Sequence, residues 1–314
     1  MSPGSGAVTL DGVINVENLS KRYGVHAAVS DVSFRCEPGT VTGFLGPNGA
    51  GKSTTMRMIC GLTPPSSGTS TVVGVPYRDL PNPGREIGVL LDASAQHAGR
   101  TGREVLGLAA QVLGVPPVRV QEMLEHVGLS GAAARRRVGD YSLGMRQRLG
   151  LAHALIGDPR VLILDEPANG LDPEGIFWMR GVLRDFADRG GTVLLSSHLL
   201  REVEAVADRL VVISGGKIVA DGTKDELLSN AGILVRATDR TALLRALAEA
   251  GLPSTTTTDG AQLVEGDAEE IGRAALTAGV VLTELRPAET AGLEEMFLSL
   301  TAGEHGANAQ EVAA

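Results

Sequence analysis

Gly46-Pro47-Asn48-Gly49-Ala50-Gly51-Lys52-Ser53 is a glycine-rich segment that joins an apolar run at residues 41–45 to a helical pattern reaching Cys60. Its spacing matches G-x-x-x-x-G-K-[ST], in which backbone N–H groups wrap phosphate oxygens and the next helix offers its positive end. The sequence therefore predicts a phosphate-binding loop. In it Lys52 would hold the β- and γ-phosphates, Ser53 would give its hydroxyl to Mg²⁺, and Thr54 and Thr55 would lie near the α- and β-phosphates.

Two adjacent carboxylates follow a second apolar run, at residues 161–164. A strand in this position would deliver Asp165 and Glu166 to the catalytic edge of the sheet. Asp165 suits the coordination of Mg²⁺, directly or through water, and Glu166 can orient and polarise an attacking water. A phosphate loop alone is also found in kinases, GTPases and many ATPases, so further motifs have to decide between these classes.

The composition is that of a globular chain with 314 residues, 43% of them hydrophobic. The 37 acidic residues outnumber the 28 basic ones, and a net charge of −9 gives no electrostatic footprint for nucleic acid or an anionic membrane surface. Two cysteines without zinc-ligand spacing fit a reducing cytoplasm. We expect residues 1–11 to be flexible, and no apolar run is long enough to span a bilayer.

The order of strand and helix patterns predicts an α/β chain with two domains. Residues 12–222 alternate short β-branched runs with helices, which implies a mostly parallel sheet, and a helical subdomain is inserted at about residues 95–157. Residues 223–302 predict a small α/β domain whose segment 254–258 is a polar loop and whose last helix covers residues 293–300. We expect a disordered tail at residues 303–314.

Four further motifs carry a resemblance to a known family. The segment from Tyr141 to Arg148 resembles the signature motif of ATP-binding cassette (ABC) ATPases, and Asn169-Gly170-Leu171-Asp172 resembles their D-loop. Ser197-His198 looks like their switch histidine, and Tyr23 matches the aromatic residue on which adenine stacks. The resemblance covers about residues 12–222. It implies the P-loop NTPase fold of an ABC ATPase, with a mostly parallel core, an antiparallel β subdomain and a helical subdomain.

The resemblance also implies a two-fold symmetric homodimer. Ser142 can begin a helix, so its hydroxyl and the helix N-terminus could meet a γ-phosphate, yet no phosphate loop lies beside it in sequence. In the family, the signature of one subunit closes over ATP that the other subunit holds. The cofactors expected are ATP and Mg²⁺. The residues expected to bind ATP are Tyr23, Gly46, Pro47, Asn48, Gly49, Ala50, Gly51, Lys52, Ser53, Thr54, Thr55, Ser142 and Gly144.

The residues expected to catalyse hydrolysis are Glu166, His198 and Lys52, and those expected to bind the metal are Ser53, Asp165 and Asp92. Two departures from the family pattern affect these assignments. Leu143 and Met145 replace a glycine and a glutamine of the usual signature. The glutamine of the family's Q-loop falls on Asp92, with Gln96 four positions later, so either residue could take over its role.

The function implied is that of the ATPase subunit of an ABC exporter at the cytoplasmic face of the cell membrane. A separate transmembrane permease would dock near residues 93–120, and the shortened signature and the second domain resemble ATPases of multidrug and antibiotic-resistance exporters. Similar subunits export polysaccharides or lipids. The alternatives are a soluble ABC ATPase acting in DNA repair or on the ribosome, and a regulator that binds nucleotide without hydrolysis. The second domain could extend the dimer or regulate docking.

Overall fold

The computed structural model describes residues 13–197, 200–229, 232–257 and 260–287. Contacts divide the chain into two compact units, Met1–Gly222 and Thr223–Ala314. Each unit has its own sheet and its own apolar core. Several predicted features lie outside the described residues, namely the flexible start at residues 1–11, His198, the helix at residues 293–300 and the tail at residues 303–314.

Strands and helices alternate through most of the chain. The strands are β1 Ile14–Tyr23, β2 His26–Cys36, β3 Val41–Leu45, β4 Ser67–Val72, β5 Ile87–Leu90, β6 Val161–Asp165, β7 Thr192–Ser197, β8 Arg209–Ser214, β9 Lys217–Thr223, β10 Ile233–Ala237, β11 Ser254–Thr256, β12 Gln262–Val264 and β13 Leu282–Pro287. The helices are α1 Lys52–Ile59, α2 Pro83–Glu86, α3 Gly102–Leu113, α4 Val118–His126, α5 Ala132–Arg135, α6 Leu143–Leu155, α7 Pro173–Asp188, α8 Leu200–Glu204, α9 Lys224–Ser229, α10 Arg240–Glu249 and α11 Ala268–Thr277.

The first unit is built on a sheet of six described strands in the order β5-β6-β7-β3-β8-β9. The pairs from β5 to β8 are parallel, which confirms the mostly parallel sheet that the sequence predicts. β3 and β7 are buried on both faces, as their continuous apolar runs require. In register, Leu45 lies beside Ser197, and Asp165 lies beside Ser196. The carboxyl ends of β3, β6 and β7 therefore meet at one edge of the sheet.

An antiparallel sheet in the order β2-β1-β4 forms the β subdomain. Its apolar face joins the core of the first unit, where the rings of Phe34 and Phe44 stack with centroids 5.2 Å apart. Cys36 and Cys60 are free thiols buried in the same core. The sequence analysis missed β4, because only Val72 of its residues Ser-Gly-Thr-Ser-Thr-Val is buried and the segment shows no apolar alternation.

Between β5 and β6 the described chain is helical, as expected for the inserted subdomain. α3 begins with a reciprocal capping box, in which Thr101 Oγ1 accepts from the backbone N–H of Glu104 and the Glu104 carboxylate accepts from that of Thr101. α6 begins at the cap residue Ser142 and buries Leu149. Among the described residues, no helix has both the length and the apolar character needed to cross a lipid bilayer.

The described part of the second unit has the element order α9-β10-α10-β11-β12-α11-β13. Its described strands form a four-stranded sheet in the order β11-β12-β10-β13, the arrangement of a split βαβ fold. Val235, Leu243 and Ile271 belong to its core. The polar loop predicted at residues 254–258 is wrong for Ser254–Thr256, which pairs with β12 as an exposed edge strand. An edge strand with two exposed faces needs no apolar alternation, so the pattern gave no strand signal there.

We predict that Leu149→Ala lowers the free energy of unfolding by about 2 to 5 kcal/mol, because it leaves a cavity beneath α6. Leu62→Ala is the matched control, since Leu62 is 62% exposed and its truncation should cost less than about 0.5 kcal/mol. Chemical denaturation of both variants and the wild-type protein provides the measurement. Equal denaturation midpoints for the two variants would contradict the packing described for α6.

Candidate functional site

The predicted phosphate loop lies between β3 and α1. Gly51 caps α1 with φ 109° and ψ 0°, and a Cβ atom at this position would lie 2.6 Å from the carbonyl oxygen of Ala28. Both the left-handed backbone and the close approach to β2 require glycine there. Ala50 N–H donates to Pro47 O at 3.1 Å, which closes the turn before the helix. The loop thus curls at the positive end of α1.

Lys52 connects this loop to the carboxylates at the end of β6. Its side chain is 6% exposed, and Nζ donates to Gly46 O at 2.7 Å and to Pro47 O at 3.3 Å. The same atom lies 4.0 Å from Glu166 Oε1. Burial lowers the pKa of Lys52, and the charges of Glu166 and Asp165 oppose that shift. The ammonium group is therefore partly desolvated and faces the acidic pair.

Asp165 and Glu166 are fixed by the neighbouring strand β7. Ser196 Oγ donates to Asp165 Oδ1, and the backbone N–H of Glu166 donates to Ser196 O at 3.2 Å. Glu166 has φ 50°, a left-handed conformation that is uncommon for a residue with a side chain. Its carbonyl oxygen accepts from Asn169 N at 3.1 Å and from Gln147 Nε2 at 3.2 Å. The backbone that carries the Glu166 carboxylate is thus held on both sides.

These elements enclose a cavity of about 190 Å³. It is lined by Ala28, Asn48, Gly49, Gly51, Lys52, Ser53, Thr54 and Glu166. Thr55 does not line it, because this buried residue donates its hydroxyl to Gly51 O at 2.9 Å. Sequence reasoning missed Ala28, Gln147 and Ser196. Ala28 and Ser196 carry no recognisable signal, whereas Gln147, a polar residue among the apolar positions of α6, could have been noticed.

Ser142 and Gly144 lie at the start of α6 and do not line this cavity. Ser142 Oγ accepts from Met145 N–H at 3.2 Å, as the predicted helix start requires. A Cβ atom at Gly144 would lie 2.9 Å from Gly170 O, and one at Gly170 would lie 2.3 Å from Leu143 Cδ2. The signature segment therefore packs closely on the D-loop segment of its own chain.

Tyr23 ends β1 and is 54% exposed. Lys21 Nζ lies 5.1 Å from the centroid of its ring, within the range of a cation–π contact. Tyr23 does not line the cavity around Lys52, so the structure keeps the ring available at the surface of the β subdomain.

Asp92 is not among the residues that line the cavity. It caps a short 3₁₀ helix, Ala93–Ala95, and its Oδ1 accepts from Ser94 N at 2.7 Å and from Ser94 Oγ at 2.6 Å. These hydrogen bonds lower the pKa of Asp92. Gln96 lines a different cavity, between β5 and the helices α3 and α6. Within the described ranges, no group of three or more His, Cys, Asp and Glu side chains could hold a metal ion.

Comparison with known proteins decides the family. A family model described as "ABC transporter" matches residues 29–169, and a model described as a domain of unknown function matches residues 231–294. The bacitracin transport ATP-binding protein BcrA of Bacillus licheniformis is 39% identical over 218 residues, which cover 68% of this chain and 71% of that protein. The chain belongs to the ATP-binding proteins of ABC transporters.

Two further relatives agree with this assignment. The Nod factor export ATP-binding protein I of Rhizobium etli is 41% identical over 222 residues, covering 68% of this chain and 69% of its own length. A solved structure of the ATP-binding subunit of an ABC transporter aligns with a TM-score of 0.64 at 30% identity, over 68% of this chain and 91% of its own. As a member of this family, the chain is an ATPase subunit of a transporter and binds ATP.

We predict that Lys52→Met lowers the affinity for a non-hydrolysable ATP analogue by about 10- to 100-fold, the loss expected for a hydrogen bond to a charged group. Lys217→Met, at an exposed position in β9, should leave the affinity unchanged. Isothermal titration calorimetry gives both values. Circular dichroism of the nucleotide-free Lys52→Met variant establishes that it is folded. Unchanged affinity in that variant would contradict the site.

Proposed function

We propose that this chain hydrolyses ATP to drive an exporter whose membrane pore is a separate polypeptide. The observation that carries the proposal is the position of Lys52, whose ammonium lies between the carbonyls of the glycine-rich loop and the Glu166 carboxylate. That arrangement suits a phosphate chain entering beside a carboxylate that orients water. A regulator without hydrolysis would not need Glu166 so close to the phosphate loop.

The residues present fit ATP and Mg²⁺ by their chemistry. Asn48, Gly49, Ser53 and Thr54 line the cavity, where backbone N–H groups and hydroxyls can donate to phosphate oxygens. Ser53 and Asp165 offer the hard oxygen ligands that Mg²⁺ prefers. When bound, the metal neutralises charge that develops on the β- and γ-phosphates. The role of Asp92 as a metal ligand stays a prediction, and its Oδ1 accepts hydrogen bonds from Ser94 N and Ser94 Oγ.

Glu166 would orient and polarise the attacking water, and Lys52 would stabilise the charge on the transferred phosphoryl group. The oxygen of the water bonds to the γ-phosphorus as the bond to the bridging oxygen of ADP breaks. The proton released passes to a base such as Glu166 or to the phosphate product.

His198 is proposed to contact the γ-phosphate. Tyr23 is proposed to stack on adenine, with one face of its ring next to Lys21.

The ATP site is proposed to be completed by a second copy of this chain. Ser142 and Gly144 are at the start of a capped helix, yet neither borders the cavity that holds Lys52. A helix N-terminus with an exposed serine cap is suited to an anion supplied from elsewhere. In a two-fold symmetric dimer each signature segment would face the ATP held by the other subunit. ATP would thereby favour the closed dimer, and its hydrolysis would remove the bridging phosphate.

The permease is proposed to bind in the groove between β5, α3 and α6. This groove has a volume of about 400 Å³ and combines the apolar residues Leu108 and Val112 with the polar residues Gln96, Arg100 and His153. Val112 is 81% exposed, which is unusual for a valine on an amphipathic helix. An apolar helix end that carries an acidic side chain would complement these groups. The predicted docking region at residues 93–120 overlaps the groove.

The cargo is proposed to be an antibiotic, another drug or a lipid-like compound. Support comes from the relatives, whose names refer to transport of bacitracin and export of Nod factor. The acidic balance, with a net charge of −9, disfavours the soluble alternative that acts on DNA or the ribosome. Membership of the complex would place this subunit at the cytoplasmic face of the cell membrane.

We predict that Glu166→Gln lowers the steady-state ATPase rate about 100-fold or more, because the amide cannot act as a base toward water. ATP should still bind, so the variant should accumulate as an ATP-dependent dimer in size-exclusion chromatography with light scattering. Glu174→Gln, in the exposed first turn of α7, is the control and should behave as wild type. A monomer at saturating ATP, together with wild-type turnover, would refute the catalytic assignment.

We predict that Val112→Glu reduces recovery of the membrane partner at least tenfold when tagged protein is purified from detergent-solubilised membranes. A carboxylate in the apolar part of the groove is costly to desolvate. Val118→Glu is the matched control, since Val118 is 59% exposed on α4 and does not line the groove. Melting temperatures establish that both variants are folded. Equal recovery with both variants would contradict the proposed docking groove, and recovery of ribosomes or DNA instead of a membrane protein would favour the soluble class.

A further inference from the structure

Gln147 is a buried polar residue in α6 that contacts the backbone of Glu166. Its side chain is 7% exposed, and Nε2 donates to Glu166 O at 3.2 Å. The other end of the same amide, Oε1, is buried and accepts no hydrogen bond within the described residues. Buried amides normally use both ends, so a half-satisfied one is a feature that simple packing does not explain. Methionine or leucine would fill the space at lower cost.

The carbonyl that Gln147 contacts belongs to a residue under backbone constraint. Glu166 has φ 50°, and a non-glycine residue stays in this region only when surrounding contacts hold it there. The Glu166 carbonyl oxygen accepts from both Asn169 N–H and Gln147, and the Glu166 N–H donates to Ser196. A shift of this backbone would move the Cα atom of Glu166, and with it the carboxylate, relative to Lys52. The hydrogen bond from Gln147 therefore bears directly on the direction of the carboxylate.

Gln147 lies on the helix that the signature serine caps. Ser142 and Gln147 are separated by five positions of one α-helix, or about 7.5 Å along its axis. Near the same end, Gly144 approaches Gly170 O closely enough that a Cβ atom would lie 2.9 Å away, so this end of the helix cannot shift without moving its neighbours. A displacement of α6 at Ser142 is therefore carried to Gln147 as a rigid-body motion.

We propose that Gln147 is a positioning residue that couples the two ATP sites of the dimer. This inference rests on the proposed dimer, in which Ser142 faces the ATP of the opposite subunit while Glu166 serves the ATP of its own. Closure of Ser142 on the opposite γ-phosphate moves α6, and Gln147 then aligns Glu166 for hydrolysis in its own site. One site thus reaches full activity when the other is filled.

The test is the dependence of the ATPase rate on ATP concentration in variants of Gln147. Gln147→Met keeps the length and burial of the side chain but has no amide donor. We expect its kcat to fall about tenfold, the value of one hydrogen bond of about 1.4 kcal/mol, with KM for ATP within twofold of wild type. The Hill coefficient should exceed 1 in the wild type and should be lower in Gln147→Met. Gln111→Met, at an exposed position of α3, is the matched control and should match wild type in all three quantities.

Two further variants separate the hydrogen bond from packing. Gln147→His retains an N–H donor and should recover a Hill coefficient close to that of the wild type. Gln147→Leu also has no donor and adds no charge to the buried site, so it should behave like Gln147→Met and replaces that variant if Met lowers the melting temperature below that of the assay. A Hill coefficient of 1 in the wild type, or equal cooperativity in the Met and His variants, would overturn the proposal.

The double variant Glu166→Gln, Gln147→Met distinguishes this proposal from the proposed function. Gln147 does not line the nucleotide cavity. ATP should therefore drive dimerisation of the double variant as it does for Glu166→Gln alone. If wild type hydrolyses ATP and Glu166→Gln dimerises, but Gln147→Met retains wild-type kcat and cooperativity, only the coupling role fails. If neither hydrolysis nor dimerisation occurs in the parent proteins, the proposed function itself fails and the coupling role with it.

Discussion

The buried ammonium group of Lys52 is the interaction around which the first unit is arranged. A cation at 6% exposure needs compensating partners, and they come from Gly46 and Pro47 in the loop and from Glu166 at the end of β6. β7 lies between β3 and β6 in the sheet, so the Lys52 side chain bridges elements that are not adjacent strands. The glycine-rich loop can approach the Glu166 carboxylate only if β3, β6 and β7 end at the same level of the sheet. The register of these three strands meets that condition.

A second constraint follows at Glu166. The chain leaves β6 through a left-handed residue, and this turn separates the roles of the two carboxylates. Asp165 remains in the strand and is held by the Ser196 hydroxyl, whereas Glu166 is rotated out toward Lys52. Glu166 donates its N–H to Ser196 of β7, and its carbonyl oxygen accepts from Asn169 of the D-loop segment and from Gln147 of α6. Motion of any of these elements would therefore change the position of the Glu166 carboxylate.

The sequence alone was sufficient to predict features whose chemistry or periodicity is local. The loop at residues 46–53, the acidic pair after β6 and the helix cap at Ser142 follow from spacing that the backbone imposes. It failed for β4 and β11, whose side chains are largely exposed and so lack an apolar pattern. It also did not reveal Ala28 or Ser196, because their roles depend on which strands lie side by side.

The cysteines of the first unit have a practical consequence. Burial raises the pKa of both Cys36 and Cys60 to about 12, so at neutral pH essentially no thiolate is present at either position. Maleimides and mild oxidants, which react with thiolates, should leave the native subunit unmodified. A single cysteine introduced on the surface could then be labelled with a fluorophore without removing the natural ones. Energy transfer between labelled copies would then test the proposed opening and closing of the dimer in an otherwise unaltered protein.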